Sequence, residues 1–125
     1  MDPVAHFEIP AKNKEKMKEF YGNVFDWQFQ DLPEMNYTMI YTTEIDEQFM
    51  PKEVGSINGG MATEDPAESP VLVIVVQNMQ ESLNKAKDAG AEMVMEPVDI
   101  PGVGSYARIN DIEGNLIGIM EPAMK

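Results

Sequence analysis

The sequence predicts an α+β chain of two βαβββ modules, forming a curved eight-stranded mixed sheet with helices outside. Three observations predict it. The order strand, helix, three strands is legible twice, the second copy starting about 65 residues after the first. The stretch Thr63 to Pro70, with two prolines and three acids, separates the copies near the midpoint. Each copy carries one amphipathic helix, which leaves one face of its strands without a helical cover. The resulting boundaries are module 1 over about 3–63, a linker over about 64–70 and module 2 over about 71–122, within a single domain.

In module 1, Val4 to Pro10 alternates around Phe7 and Ile9, with His6 and Glu8 on the opposite parity, and reads as a strand. Asn13 can cap the next helix. Met17, Phe20, Tyr21 and Val24 fall at i, i+3, i+4 and i+7, with lysines 12, 14, 16 and 18 on the flanks. The helix is expected to end between Gly22 and Phe25. Short strands are expected over Trp27 to Phe29 and Tyr37 to Thr43, split by a turn at Pro33 to Asn36. Glu44 to Gly55 reads as an acidic loop, and Ser56 to Ala62 as a Gly-rich strand.

In module 2, Val71 to Val76 is apolar on both parities, as suits a strand buried on both faces. Asn78 with Glu81 resembles a capping box, Leu83 and Ala86 form the apolar stripe, and Gly90 is a C-terminal stop. Strands are expected over Met93 to Val98, Ser105 to Asn110 and Asn115 to Met120. The last two flank a hairpin turn at Asp111 to Gly114.

Composition narrows the function. Nine basic and 22 acidic residues leave a net charge of −13, which disfavours nucleic acid unless the basic residues cluster. Without cysteine there is no disulfide framework, thiolate zinc site, iron–sulfur cluster or cysteine nucleophile. The longest apolar run, Val71 to Val76, is far short of the roughly 20 residues of a membrane span. The start has neither the basic region nor the apolar core of a signal peptide, so a cytoplasmic protein is expected.

Three motifs carry a resemblance. HFEIPA followed by a capped helix ending in KEFYGNVFDW, then INGGM at Ile57 to Met61, then the segment IPGVGSYARINDIEGNLIGIMEP from Ile100 to Pro122 stand in this order. Together they resemble the vicinal oxygen chelate superfamily, which includes glyoxalase I, bleomycin resistance proteins and extradiol dioxygenases. INGGM resembles the Gly-rich fourth strand of a lactoylglutathione-lyase-related subgroup. The resemblance implies the glyoxalase/bleomycin resistance/dihydroxybiphenyl dioxygenase fold and a homodimer. It also implies a metal held in a trough by one side chain from the first and fourth strands of each half. Those positions fall at His6, within the stretch Asn58 to Met61 with Gly60 the best match, at Val71 and at Gly118, so three of the four ligands are absent. Glu8, on the same parity as His6, could add one carboxylate. No metal cofactor is therefore expected.

His6 is the sole histidine and reads either as a base or hydrogen-bond partner in the trough or as a structural polar residue. Arg108 is the sole arginine. Opposite Gly118 in a symmetric hairpin, it could clamp a ligand carboxylate or phosphate, or form an internal ion pair, with Glu8 the first partner to test. Tyr37, Tyr41 and Tyr106 suit either a small-molecule pocket or ordinary sheet packing. Trp27 reads as a core anchor, and Asp26 before it tolerates a left-handed backbone. Eleven methionines suit an adaptable lining or simple core filling. Gly102-Val103-Gly104 lacks the strand-before, helix-after setting of a phosphate loop. The expected function is small-molecule binding in the trough, with His6, Glu8, Tyr37, Tyr41, Tyr106 and Arg108 as ligand contacts. The alternatives are a metal-dependent lactoylglutathione-lyase-like lyase or isomerase with an unusual ligand set, and a non-catalytic dimer whose trough is closed by Met and Tyr side chains.

Overall fold

The computed structural model describes residues 1–123, in two compact units. The first unit takes in His6–Pro70 and the second Met1–Ala5 with the chain from Val71 onward.

The first unit holds most of β1 (Val4–Pro10), then α1 (Lys14–Phe25), β2 (Gln28–Leu32), a 3-10 turn (Pro33–Met35), β3 (Tyr37–Tyr41) and β4 (Asn58–Ala62). Its strands run in the order β2-β3-β4-β1, with β1 parallel to β4 and the other pairs antiparallel. The Asn13 side chain accepts the backbone N–H of Lys16 at 3.1 Å, which satisfies an orphan donor at the start of α1. Asp26 ends the helix at φ 62°, the left-handed turn its short side chain allows. The next residue, Trp27, then stacks on Tyr21 with ring centroids 4.8 Å apart and planes at 7°. Ile9, Ala11, Ile40 and Met61 form the buried core, covered by Phe7, Met17, Tyr21, Trp27 and Phe29.

Several expectations for this unit need correction: β2 runs Gln28–Leu32 and not Trp27 to Phe29, and β4 starts at Asn58 and not at Ser56. The apolar stripe of α1 is narrower than its spacing suggests: Met17 and Tyr21 join the core, whereas Phe20 and Val24 are exposed. Phe20 instead packs edge-on against Tyr21 and Phe25. The strand expected to reach Thr43 stops at Tyr41, because the Asn58 Oδ1 accepts the Thr42 N–H at 2.8 Å and the Thr42 hydroxyl donates to the Ile57 carbonyl at 2.7 Å. Side-chain capture of this kind competes with the strand ladder.

The second unit contains β5 (Val71–Val75), α2 (Met79–Asp88), β6 (Glu92–Ile100), β7 (Gly104–Asn110) and β8 (Leu116–Pro122). Its strand order is β5-β8-β7-β6, again with one parallel pair, β5 with β8. The Pro3 carbonyl accepts the Val75 N–H at 2.9 Å. Helix α2 begins with the Glu81 N–H on the Asn78 side chain at 2.9 Å and the Met79 N–H on Glu121 Oε1 at 2.7 Å. Val76, Met79, Leu83, Ala107, Ile109 and Ile119 form the core. The two-sided burial expected of β5 does not hold throughout. Val71 and Val73 are fully buried, but Leu72 is 49% exposed. Strand β6 is longer than expected and carries register shifts around Met95, compatible with Pro97 on the last strand of the unit. In the β7–β8 hairpin, Asp111 accepts the backbone N–H groups of Glu113 and Asn115, both at 2.9 Å.

Candidate functional site

Sheet pairing fixes which side chains share a face. In the first unit, Ile9, Ile40 and Met61 face α1. The opposite, helix-free face therefore carries His6 and Glu8 from β1, Tyr37 and Met39 from β3, and Asn58 and Gly60 from β4. His6 pairs across from Asn58, and Glu8 and Met39 flank Gly60.

Three of the expected ligand contacts meet there. The Tyr37 hydroxyl lies 3.0 Å from His6 Nε2 and donates to Glu8 Oε2 at 3.3 Å. The direction of the His6–Tyr37 bond depends on the imidazole tautomer: a protonated Nε2 donates to the phenol oxygen, and a bare Nε2 accepts the phenol proton. Burial holds the His6 imidazole below its ordinary pKa, while the neighbouring Glu8 carboxylate acts in the opposite direction. A side chain on Gly60 would overlap the end of the Tyr37 ring. Tyr41 is engaged elsewhere: its hydroxyl donates to Gln30 Oε1 at 2.6 Å, and burial pushes its phenol pKa up.

Tyr106 and Arg108 lie in the second unit, on the face opposite the α2-packed Ala107 and Ile109. They are 7% and 6% exposed. Arg108 Nε donates to the Tyr106 hydroxyl at 2.9 Å, and the guanidinium carbon stands 5.8 Å from the Tyr106 ring centroid. A Cβ on Gly118 would come within 2.7 Å of that same hydroxyl.

The strand registers make the two arrangements counterparts. Glu8, Gly60 and Met39 sit side by side in the first unit as Val73, Gly118 and Arg108 do in the second. Tyr37 and Tyr106 each lie two residues before the last member of its trio, and each places its hydroxyl over the glycine. In both units, a tyrosine fills the space beside a fourth-strand glycine.

Of the four positions where the resemblance implies metal ligands, Gly60, Val71 and Gly118 have no donor atom. The Tyr37 and Tyr106 hydroxyls take up the room that longer side chains would need at the two glycines. Among the described residues, no group of three or more His, Asp or Glu side chains is placed to hold a metal ion. The donor set present does not fit the group that the fold implies.

Sequence reasoning passed over Asn58, which lay inside the Gly-rich strand, and Gln30, the partner of Tyr41. The one signal was a polar residue ahead of two glycines in a strand.

Comparison with known proteins extends these findings. The family model for the Glyoxalase/Bleomycin resistance protein/Dioxygenase superfamily matches residues 4–119. Proteins of Mycobacterium bovis and Mycobacterium tuberculosis, both named "Putative glyoxylase CFP32", are 35% identical over 52 residues. That stretch is 42% of this chain and spans about a fifth (20%) of the length of those relatives. Among solved structures, hypothetical protein BH1468 from Bacillus halodurans is similar with a TM-score of 0.68 at 17% identity, covering 99% of this chain and 96% of that one. A superfamily member from Vibrio splendidus gives 0.64 at 7% identity, over 98% and 99% of the two chains. Methylmalonyl-CoA epimerase from Mycobacterium tuberculosis gives 0.61 at 14% identity, over 95% and 87%. At these identities the structures establish the shared fold and nothing of the chemistry. The family match covers nearly the whole chain and agrees with the repeated βαβββ order, so this chain belongs to the Glyoxalase/Bleomycin resistance protein/Dioxygenase superfamily.

Proposed function

We propose that this protein is a superfamily member with a degenerate metal site that binds a small molecule on its helix-free sheet surface. The observation that carries the reading is the His6–Tyr37–Glu8 cluster, in which a phenol occupies the room beside Gly60. An imidazole, a phenol and a carboxylate in contact offer a ligand both donors and acceptors. Tyr41 borders the same face. In the second unit, Arg108 and Tyr106 form a separate buried pair, a cation beside a phenol, which is a second candidate contact point within that unit. Resemblance to the lactoylglutathione-lyase-related subgroup and the expectation of a cytoplasmic homodimer belong to this reading.

A thermal-shift screen over metabolites and cationic antibiotics, with elemental analysis of the purified protein, tests it. A true ligand raises the melting temperature as RT ln(1 + [L]/Kd) requires, and Tyr37→Phe or His6→Ala weakens that rise. If no compound stabilises the protein, the binding function falls and the structural dimer takes its place. A stoichiometric metal lost on His6→Ala would instead support the metal-dependent lyase or isomerase.

A further inference from the structure

Asn58 is 7% exposed, and its Nδ2 has no hydrogen-bond partner among the described residues. Its orientation is not arbitrary. The Thr42 backbone N–H can only donate, and it lies 2.8 Å from the other end of the amide, with the Thr42 hydroxyl 3.3 Å away. That end must be the oxygen, so the unpaired end is the NH2 group. A buried donor left unpaired is costly, and native interiors leave few of them. The fold itself does not demand an amide here. By the registers that make Gly60 and Gly118 counterparts, the second unit has Leu116 at the place of Asn58. The Asn58 oxygen thus has a structural task, holding Thr42, while its nitrogen has none.

Resting on the small-molecule reading above, we infer that the Asn58 amide, on β4 and paired with His6 of β1, receives a neutral carbonyl oxygen of the ligand. Register places Asn58 on the helix-free face with His6, Tyr37 and Glu8. A ketone, amide or ester oxygen is a pure acceptor and satisfies the free N–H. A carboxylate would satisfy it too, but would bring a second negative charge beside Glu8 on a chain of net charge −13. The amide is enclosed, so the entering oxygen shifts a flanking side chain, and His6 stands next to it.

The test is NMR of the full chain, titrated with N-methylacetamide in one arm and acetate in the other. The Asn58 side-chain N–H2 and the His6 ring signals should both move saturably with N-methylacetamide, and acetate should bind at least tenfold more weakly. Asn58→Asp keeps an oxygen for Thr42 and removes the donor. It should retain cooperative melting and weaken N-methylacetamide at least tenfold. His6 signals that move while those of Asn58 stay still, equal binding by N58D, or a preference for acetate would each overturn the inference and leave small-molecule binding standing. If neither His6 nor Asn58 responds in either arm, the inference and the binding reading at this face both fall.

Discussion

The Tyr37 hydroxyl occupies the space that any side chain on Gly60 would need. The glycine and the tyrosine are thus a matched pair, and the bonds from Tyr37 to His6 and Glu8 exist only while position 60 stays small. Gly60→Ala should force the ring outward, break both contacts and cost about 1–3 kcal/mol. In a Tyr37→Ala background the same change should cost much less. A double-mutant cycle by urea denaturation measures the coupling.

This pairing also shows where the sequence was legible. The repeated order of elements could be read because apolar periodicity, caps and turns are local signals: Asn13, Asn78 and Asp111 each form the hydrogen bonds their types favour. The His6 position followed from parity along one strand. Its meeting with Tyr37, 31 residues away, did not, because that contact depends on the register of β1 on β4 and β4 on β3. The exposure of Phe20 was hidden for a similar reason. Helical spacing marks a stripe, but its width against a sheet depends on packing.

Stability should depend on pH through His6. Its folded pKa is depressed by burial, so between that value and the ordinary 6.5 the unfolded chain binds more protons. This contribution is fully present above about 6.5 and is lost as pH falls through the folded pKa. His6→Gln should flatten the pH dependence of stability in that window, read from urea midpoints of the two proteins. Asp31 and Asp111, held low by Lys18 and Asn115 respectively, act only at more acid pH.

Burial separates two leucines of the second unit. Leu83, 2% exposed on the buried face of α2, should cost about 2–5 kcal/mol when cut to alanine. Leu72, half exposed on β5, should cost about 0.5 kcal/mol or less in the same experiment. Equal losses would contradict the one-sided burial of this strand.

Asp26 holds a positive φ without needing its side chain for the cap, whose backbone N–H is bonded to the Gly22 and Tyr21 carbonyls. Asp26→Gly should be neutral or stabilising by a few tenths of a kcal/mol, whereas Asp26→Val should lose about 1–2 kcal/mol. Chemical denaturation of both variants measures the difference.

The stacked ring pair at the end of α1 makes the molecule its own reporter. The chain has one tryptophan, and Trp27 lies face to face with Tyr21, packed against the core of the first unit. Its fluorescence therefore follows the melting of that half, while far-ultraviolet dichroism follows α1 and α2 together. Superimposed traces would mean that both halves lose their structure in one cooperative step; a lag between them would time each half separately, with no label attached.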